Sequence, residues 1–394
     1  MPATMTGRPV GVVAYTRYAT DARVMRTAES LQRAGFRVDV YTPRDAGEPA
    51  AETIRGVTLT RLPVAQYNGT GFLGYVASYL GFFLLCFGRL AWRQIGRRYR
   101  LIYVNNMPDF LVFVSVPSRL LGAKVVLDIH DPMPETYLAK FGQGKRGLVY
   151  RLLKLQERYS AAYADRVVTV HEPVKRDILV KDGLRADKIS VVANFPDGDV
   201  FRPVEDYRLD RPLRMIYYGT ISKRFALERV IGSVAGLKRK DGLFLKIIGR
   251  GDGAAGLEKA ISTHAIGPRV DFENRTYPLR QIPLIIRDYH LGIVPYEPGR
   301  ATDYMLPVKM LELTAAGIPV ITVANTAIRH YFSPDLFFAY DPSRADSLTA
   351  LLDDLIGQPG PLLTMREALL KKREDYLWEK EAGKLIGLVV DLTR

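Results

Sequence analysis

Lys309 and Glu312 are the residues whose chemistry stands out: a cation and a carboxylate three positions apart in the apolar stretch Leu306-Pro307-Val308-Lys309-Met310-Leu311-Glu312-Leu313-Thr314-Ala315-Ala316-Gly317. A helix is predicted here. Pro307 suits its first turn, where a missing N–H costs nothing, and Gly317 suits the left-handed residue that ends it before a strand over 319–323. The spacing puts both charges on one face near the amino end, where unpaired N–H groups and the helix dipole favour anions. A diphosphate against those N–H groups and Lys309, with a ribose diol donating to Glu312, satisfies both charges. The pair suits a nucleotide sugar, although a solvated ion pair on an ordinary helix has the same spacing.

Other segments carry weaker signals of the same kind. Tyr217-Tyr218-Gly219-Thr220-Ile221-Ser222-Lys223-Arg224-Phe225 runs from a strand into a glycine-containing basic turn and then a helix over 226–235, a form that cradles phosphate. Two solvated loop charges would look alike. Gly249-Arg250-Gly251-Asp252-Gly253 follows the next strand but lacks the third glycine of a dinucleotide fingerprint, since Ala254 occupies that place. His130 and Asp131 follow an apolar strand run over 125–129, at a carboxyl end of the kind where open α/β sheets bind ligands; a histidine serving a local turn is the competing reading. Asp21 suits a helix N-cap. No serine or cysteine triad is visible, and His264, His290 and His330 lie apart without metal-ligand spacing, so metal-independent chemistry is expected.

The elements that must position these residues alternate along the chain. Strands are predicted over 10–15, 36–41, 57–62, 101–104, 125–129, 167–170 and 189–193, with helical patterns between most of them. After the turn-rich 194–203 the pattern restarts with strands over 213–218, 245–248, 270–273, 291–294, 320–323 and 337–340, and the tail from Pro361 is largely helical. Such alternation predicts two doubly wound parallel sheets, and 394 residues suit two domains rather than one.

The net charge of +14 is uneven: residues 1–195 hold 28 Lys and Arg against 16 Asp and Glu, leaving most of the positive field in the first half. That suits anionic lipid, a pyrophosphate-bearing acceptor or nucleic acid. Nucleic acid is disfavoured because no interleaved aromatic and basic motif accompanies the charge. Phe72–Gly88 is free of charge, and Arg89, Arg93 and Arg97 follow it as a basic stripe, with Lys145, Arg146, Arg151, Lys154 and Arg158 as a second cluster. The segment fits a buried or partly buried domain helix, an interfacial membrane helix or, at the short limit, a spanning one. The lone Cys86 implies no disulfide framework, and the first residues show no apolar signal region, so a cytoplasmic setting is expected.

With this order of elements around it, the Lys309–Glu312 segment resembles the donor-site helix of GT-B glycosyltransferases, most closely the retaining, family-4-like group, and the resemblance covers nearly the whole chain. It implies an α/β GT-B fold of two Rossmann-like domains facing a central cleft. Residues 1–195 would bind acceptor, 196–212 link, 213–372 bind the nucleotide-sugar donor, and 373–394 pack back toward the first domain. The implied reaction is retaining transfer from a UDP- or GDP-linked sugar, with no cofactor, to a lipid-linked or glycan acceptor in polysaccharide or glycolipid synthesis, at the inner face of an anionic membrane. A GT-B sugar-nucleotide epimerase and a non-enzymatic nucleotide-regulated binding protein are the alternatives.

The resemblance also implies roles. Gly219 admits the nucleotide, and Lys223 or Arg224 joins Lys309 in neutralising the leaving diphosphate. Gly249 and Gly251 give room to base or phosphate, and Tyr277 lies in the nucleobase loop. His130 reaches the transferred sugar, with Asp131 influencing its charge. Arg17, Asp21 and Arg23, an Asp-x-Arg element and its neighbour, face an anionic acceptor. The family's second glutamate, eight residues before Glu312, is Tyr304 here, so the Asp303 carboxylate or the amides from Asp303 to Met305 would replace its sugar contact.

Overall fold

The computed structural model describes residues 7–67, 72–141 and 147–394. The chain divides into two units, one running to Asn194 and taking back Glu381–Arg394, the other being Phe195–Lys380.

In the first unit the apolar runs become β1 (Pro9–Val13), β2 (Arg37–Pro43), β3 (Ala51–Ile54), β4 (Val57–Leu62), β5 (Leu101–Asn105), β6 (Lys124–Ile129), β7 (Arg166–Thr169) and β8 (Ile189–Val191). Their order in the sheet is β3-β4-β2-β1-β5-β6-β7-β8. All but β3 were predicted. That strand pairs antiparallel with β4 at the sheet edge, through a tight turn in which Arg55 and Gly56 both have positive φ, 50° and 81°. Its four residues have only two apolar members, too short a pattern to read.

The helices α1 (Ala22–Arg33), α2 (Phe72–Arg97), α3 (Val116–Leu120), α4 (Met133–Phe141) and α5 (Leu148–Tyr163) cover this sheet. The crossover from β1 to β2 runs one way along the sheet, whereas those from β4 to β5, β6 and β7 run the other way. Right-handed connection therefore sets α1 on one face and α2, α3 and α5 on the opposite one. The returning segment 381–394 is tied by Glu381, which accepts from the Ala193 amide at 2.8 Å, and by the Thr393 carbonyl, which accepts from Arg8 at 2.6 Å.

The charge-free run predicted over 72–88 is part of one 26-residue helix that continues through the arginines. Phe82, Cys86 and Leu90 are fully buried against Tyr41, Tyr99 and Val104, so α2 is a crossover helix with one face in the core. By length and composition Gly74–Arg97 could cross a membrane, but withdrawing it would strip that core. Arg97 departs from the expected basic stripe, because its guanidinium lies 3.3 Å from the buried carboxylate of Asp39. Lys145 and Arg146 lie outside the described residues.

In the second unit β9 (Leu213–Tyr218), β10 (Leu243–Ile248), β11 (Val270–Glu273), β12 (Leu291–Val294), β13 (Val320–Thr322) and β14 (Phe338–Ala339) form a parallel sheet in the order β11-β10-β9-β12-β13-β14. The chain winds outward in opposite directions from β9 and β12, so the crevice beyond their carboxyl ends is the topological switch point, where such sheets bind ligands. The segment 196–212 is not a free linker. Val204 donates to the Ala316 carbonyl at 3.0 Å and the Tyr207 hydroxyl to the His290 carbonyl at 2.6 Å. Tyr376 stacks on Phe332 with ring centroids 4.5 Å apart, so the chain after 373 first packs within this unit.

Candidate functional site

The helix Val308–Ala315 starts at the switch point of the second sheet. Pro307 is its N-cap, in extended conformation, one residue earlier than the predicted first-turn position. No side chain caps this end, which leaves the first-turn N–H groups directed at whatever binds there. Gly317, at φ 70°, ends the helix as predicted, and the Ile318 amide closes on the Leu313 carbonyl at 2.9 Å. From Met310 to Ala315 every residue is buried. A solvated charge pair on an exposed helix is therefore excluded.

Glu312 is only 4 % exposed. Its Oε2 accepts a 2.8 Å hydrogen bond from the hydroxyl of Tyr218, the last residue of β9. Burial, and then the adjacent carboxylate, raise the Tyr218 hydroxyl well above the ordinary tyrosine value, so it stays a donor. Lys309 is half-buried. Burial lowers its pKa and Arg224 lowers it further, against the attraction of Glu312. The lysine runs across Gly219: a Cβ on that glycine would lie 1.8 Å from Lys309 Cε. The lysine could move aside, but φ of 131° at Gly219 still disfavours any side chain.

Gly249 and Gly251 have a different reason to be glycine than the expected room for base or phosphate. A Cβ on Gly249 would lie 1.8 Å from the Gly219 carbonyl oxygen, and one on Gly251 would lie 1.9 Å from that of Ile221. Those positions are already filled by backbone. The Ile221 amide donates to Arg250 at 2.9 Å and the Gly253 amide to Ile221 at 3.1 Å. These glycines let one loop brace the other, and the braced loop carries Gly219 against Lys309.

The choice between Lys223 and Arg224 also becomes physical. The Arg224 guanidinium lies 4.9 Å from the Phe225 ring centroid and the Lys309 ammonium 5.5 Å from the same ring. Lys223 instead lines a separate cavity of about 390 Å³ with Glu228, Leu257 and Glu297. Arg224 thus shares the field of Lys309.

The residues before the helix are engaged internally. Asp303 accepts from the Thr326 amide at 3.1 Å and from its hydroxyl at 2.8 Å. The Asp303 amide donates to Gly299, and those of Tyr304 and Met305 donate to Thr302. These amides are therefore already used as donors, and the Asp303 carboxylate is held by Thr326 through both of its oxygens. Tyr277 donates to Glu273 at 2.9 Å and lies under Arg275, 4.3 Å from its ring centroid.

In the first unit the Asp-x-Arg element turns inward. Asp21 caps α1, accepting from the amides of Arg23 and Val24 at 3.1 Å each. Arg23 is 4 % exposed and forms a two-pronged pair with Asp128, at 2.9 and 2.8 Å. The hydroxyl of Tyr103 adds a 2.8 Å bond to the same carboxylate. Arg23 is a buried tie between α1 and β6 and is not available to an acceptor. Arg17 pairs with Asp45 near the surface, and Asp131 is exposed.

His130 stands just past β6, half-buried, its amide donating to Asn106 Oδ1 at 3.2 Å. Asn106 Nδ2 donates to Asp109 at 3.0 Å and to the Asp131 carbonyl at 2.7 Å. His130 Nδ1 and Asp109 Oδ2 are both buried without a hydrogen-bond partner. Burial raises Asp109 to about 6, against Asn106 and His130. Sequence reading missed Tyr218, Asn106, Asp109 and Asp128. The only local signal of Tyr218, Asn106 and Asp128 is a polar side chain at or near the end of an apolar strand, and Asp109 opens the short helical segment that follows β5.

The chain from 205 to 373 matches the family of glycosyl transferases group 1, and 20–194 matches the glycosyl transferase 4-like domain. A putative colanic acid biosynthesis glycosyl transferase, WcaI of Escherichia coli strain K12, is 28 % identical over 220 residues, which span 53 % of this chain and 53 % of that protein. Sucrose-phosphate synthase from Thermosynechococcus elongatus has a similar structure, with a TM-score of 0.79, 18 % identity, and coverage of 98 % of this chain and 99 % of that one. HepE of Anabaena, solved with UDP and glucose, superposes with a TM-score of 0.73 at 13 % identity over 98 % of this chain and all of that one.

Proposed function

This chain belongs to the group 1 glycosyltransferases, and on that premise we propose that it moves a sugar from a nucleoside-diphosphate donor to a lipid-linked or glycan acceptor, with retention at the anomeric carbon. The observation that carries the reading is a buried carboxylate, Glu312, held by Tyr218 beside a half-buried lysine at a sheet switch point. The relative named for colanic acid synthesis and the structure holding UDP and glucose support a polysaccharide or glycolipid product and a UDP-sugar donor.

In this reading the diphosphate lies against the first-turn amides of Val308–Ala315, with Lys309 and Arg224 as counter-charges, and the ribose diol donates to Glu312. Charge grows on the diphosphate as the glycosidic bond breaks, so cations fixed there favour the transition state over the ground state. Retention follows if the acceptor attacks from the face the diphosphate leaves. His130 is the first unit's candidate for contact with the reacting sugar. An epimerase would use the same donor site without an acceptor.

The test is calorimetric titration with UDP, GDP and their sugars, followed by turnover with and without acceptor. Glu312→Gln retains an acceptor for Tyr218 and should fold normally while losing donor affinity by about tenfold or more, the worth of a charged hydrogen bond of roughly 1.5–3 kcal/mol. Glu312→Ala should in addition lose about 1–3 kcal/mol of stability, because the buried Tyr218 hydroxyl loses its partner. Unchanged donor affinity in Glu312→Gln would remove the ribose assignment. Isomerised sugar nucleotide without acceptor would favour the epimerase.

His130→Ala should cut turnover by at least about tenfold while leaving UDP affinity unchanged, as expected for loss of one contact to the sugar rather than the nucleotide. Full turnover would leave His130 as a partner of the local turn held by Asn106.

A further inference from the structure

Among the described residues fourteen large hydrophobic side chains are exposed, and twelve of them lie on α2, on α5 or at the carboxyl end of α3. Helix α5 is inverted. Leu148, Leu152, Leu155 and Tyr159, spaced by four, three and four, form a solvent-facing stripe, while Glu157 and Ser160 are fully buried. On α2 the same is true of Leu84, Trp92 and Ile95, 68 %, 71 % and 71 % exposed, on the side away from Phe82 and Cys86. A water-facing helix surface is normally polar, and a patch of this extent marks an interaction site.

The three helices cover one sheet face, and they meet. Phe83 of α2 contacts Phe110 at 5.8 Å between ring centroids, and Phe113 contacts Tyr163 of α5 at 4.9 Å, both partners belonging to the short segment Asp109–Ser115. Arg119 of α3 lies 4.6 Å from the Tyr163 ring centroid. Leu120, 82 % exposed, projects beside them with Leu121.

Charge selects the occupant. The only acidic residue on these three helices is the buried Glu157. Arg97 is tied to Asp39, Arg119 to Asp165, and Lys154 to Glu135 and Asp182. Arg89, Arg93, Arg151 and Arg158 have no acidic partner among the described residues. An apolar surface whose own helices expose cations and no carboxylate complements an anionic, apolar-cored partner. We propose that α2, α3 and α5 form one face that docks on an anionic lipid bilayer, the helices lying in the interface without crossing it. No catalytic step is required, so failure here leaves the glycosyl-transfer reading intact.

The protein's two tryptophans make the test direct, since Trp92 is exposed on this face and Trp378 is buried. Phosphatidylcholine vesicles with and without phosphatidylglycerol are the probe. Emission should shift to the blue with the anionic vesicles, brominated lipid should quench it, and Trp92→Phe should abolish both responses. Arg151→Gln with Arg158→Gln should weaken sedimentation with anionic vesicles roughly thirtyfold. Leu152→Glu with Leu155→Glu, at positions already exposed, should weaken it at least about tenfold with the near-ultraviolet dichroism unchanged, while Leu363→Glu in the second unit should not. Unaltered binding in the α5 variants would overturn the joint face. So would lipid-independent dimerisation abolished by the α5 glutamates, or retention of α2 in membranes after alkaline carbonate extraction.

Discussion

Replacing Lys309 with methionine is expected to lower the rate of glycosyl transfer by roughly 10²–10³, the usual cost of removing one fixed group that stabilises developing charge. Nucleoside binding should be unchanged and nucleoside diphosphate binding weakened, because the lysine's partner is the diphosphate. Stability should change little: burial already lowers the pKa of this ammonium, and methionine keeps most of the chain packed across Gly219. Arg224→Met should act in the same direction, because Arg224 faces the same ring and the same field, whereas Lys223→Met should have little effect, since Lys223 lines another cavity. With these side chains as the counter-charge, transfer should persist in EDTA. Single-turnover rates beside titrations of uridine and UDP decide the matter. Equal losses for nucleoside and diphosphate would mean that the cations serve only the fold.

Arg23→Ala should destabilise the first unit by about 3–5 kcal/mol, the cost of leaving a buried charge without its counter-ion. Asp128 is fully buried and would keep only the Tyr103 hydroxyl. Arg23→Lys should recover little, since one ammonium cannot reproduce both prongs and the further bond to the Val192 carbonyl at 3.1 Å. Arg23→Met with Asp128→Leu should recover much of the loss by removing both charges. Urea unfolding followed by far-ultraviolet dichroism measures this. A fully stable Arg23→Ala protein that had lost acceptor affinity would return Arg23 to the acceptor site.

Local pattern was enough for the parallel strands of both sheets, though not for the antiparallel edge strand β3, because a strand buried on both faces must be a short apolar run and its crossover helix must follow the 3.6-residue period. It was also enough for the helix that carries Lys309 and Glu312 and for its stop at Gly317, which follow from the residue types that begin and end it. The remainder depends on partners far along the chain. Arg23 reads as a cleft cation until Asp128, 105 residues away, neutralises it. Asp303 reads as an untethered carboxylate until the amide and hydroxyl of Thr326 donate to its two oxygens. Gly249 and Gly251 read as space for a ligand until the backbone of another loop fills that space. The α5 stripe has the periodicity of any amphipathic helix, and periodicity gives the width of an apolar face but not its direction. Only the packing of Glu157 and Ser160 inward set that stripe toward solvent, because which face a helix buries depends on everything else that the sheet must cover.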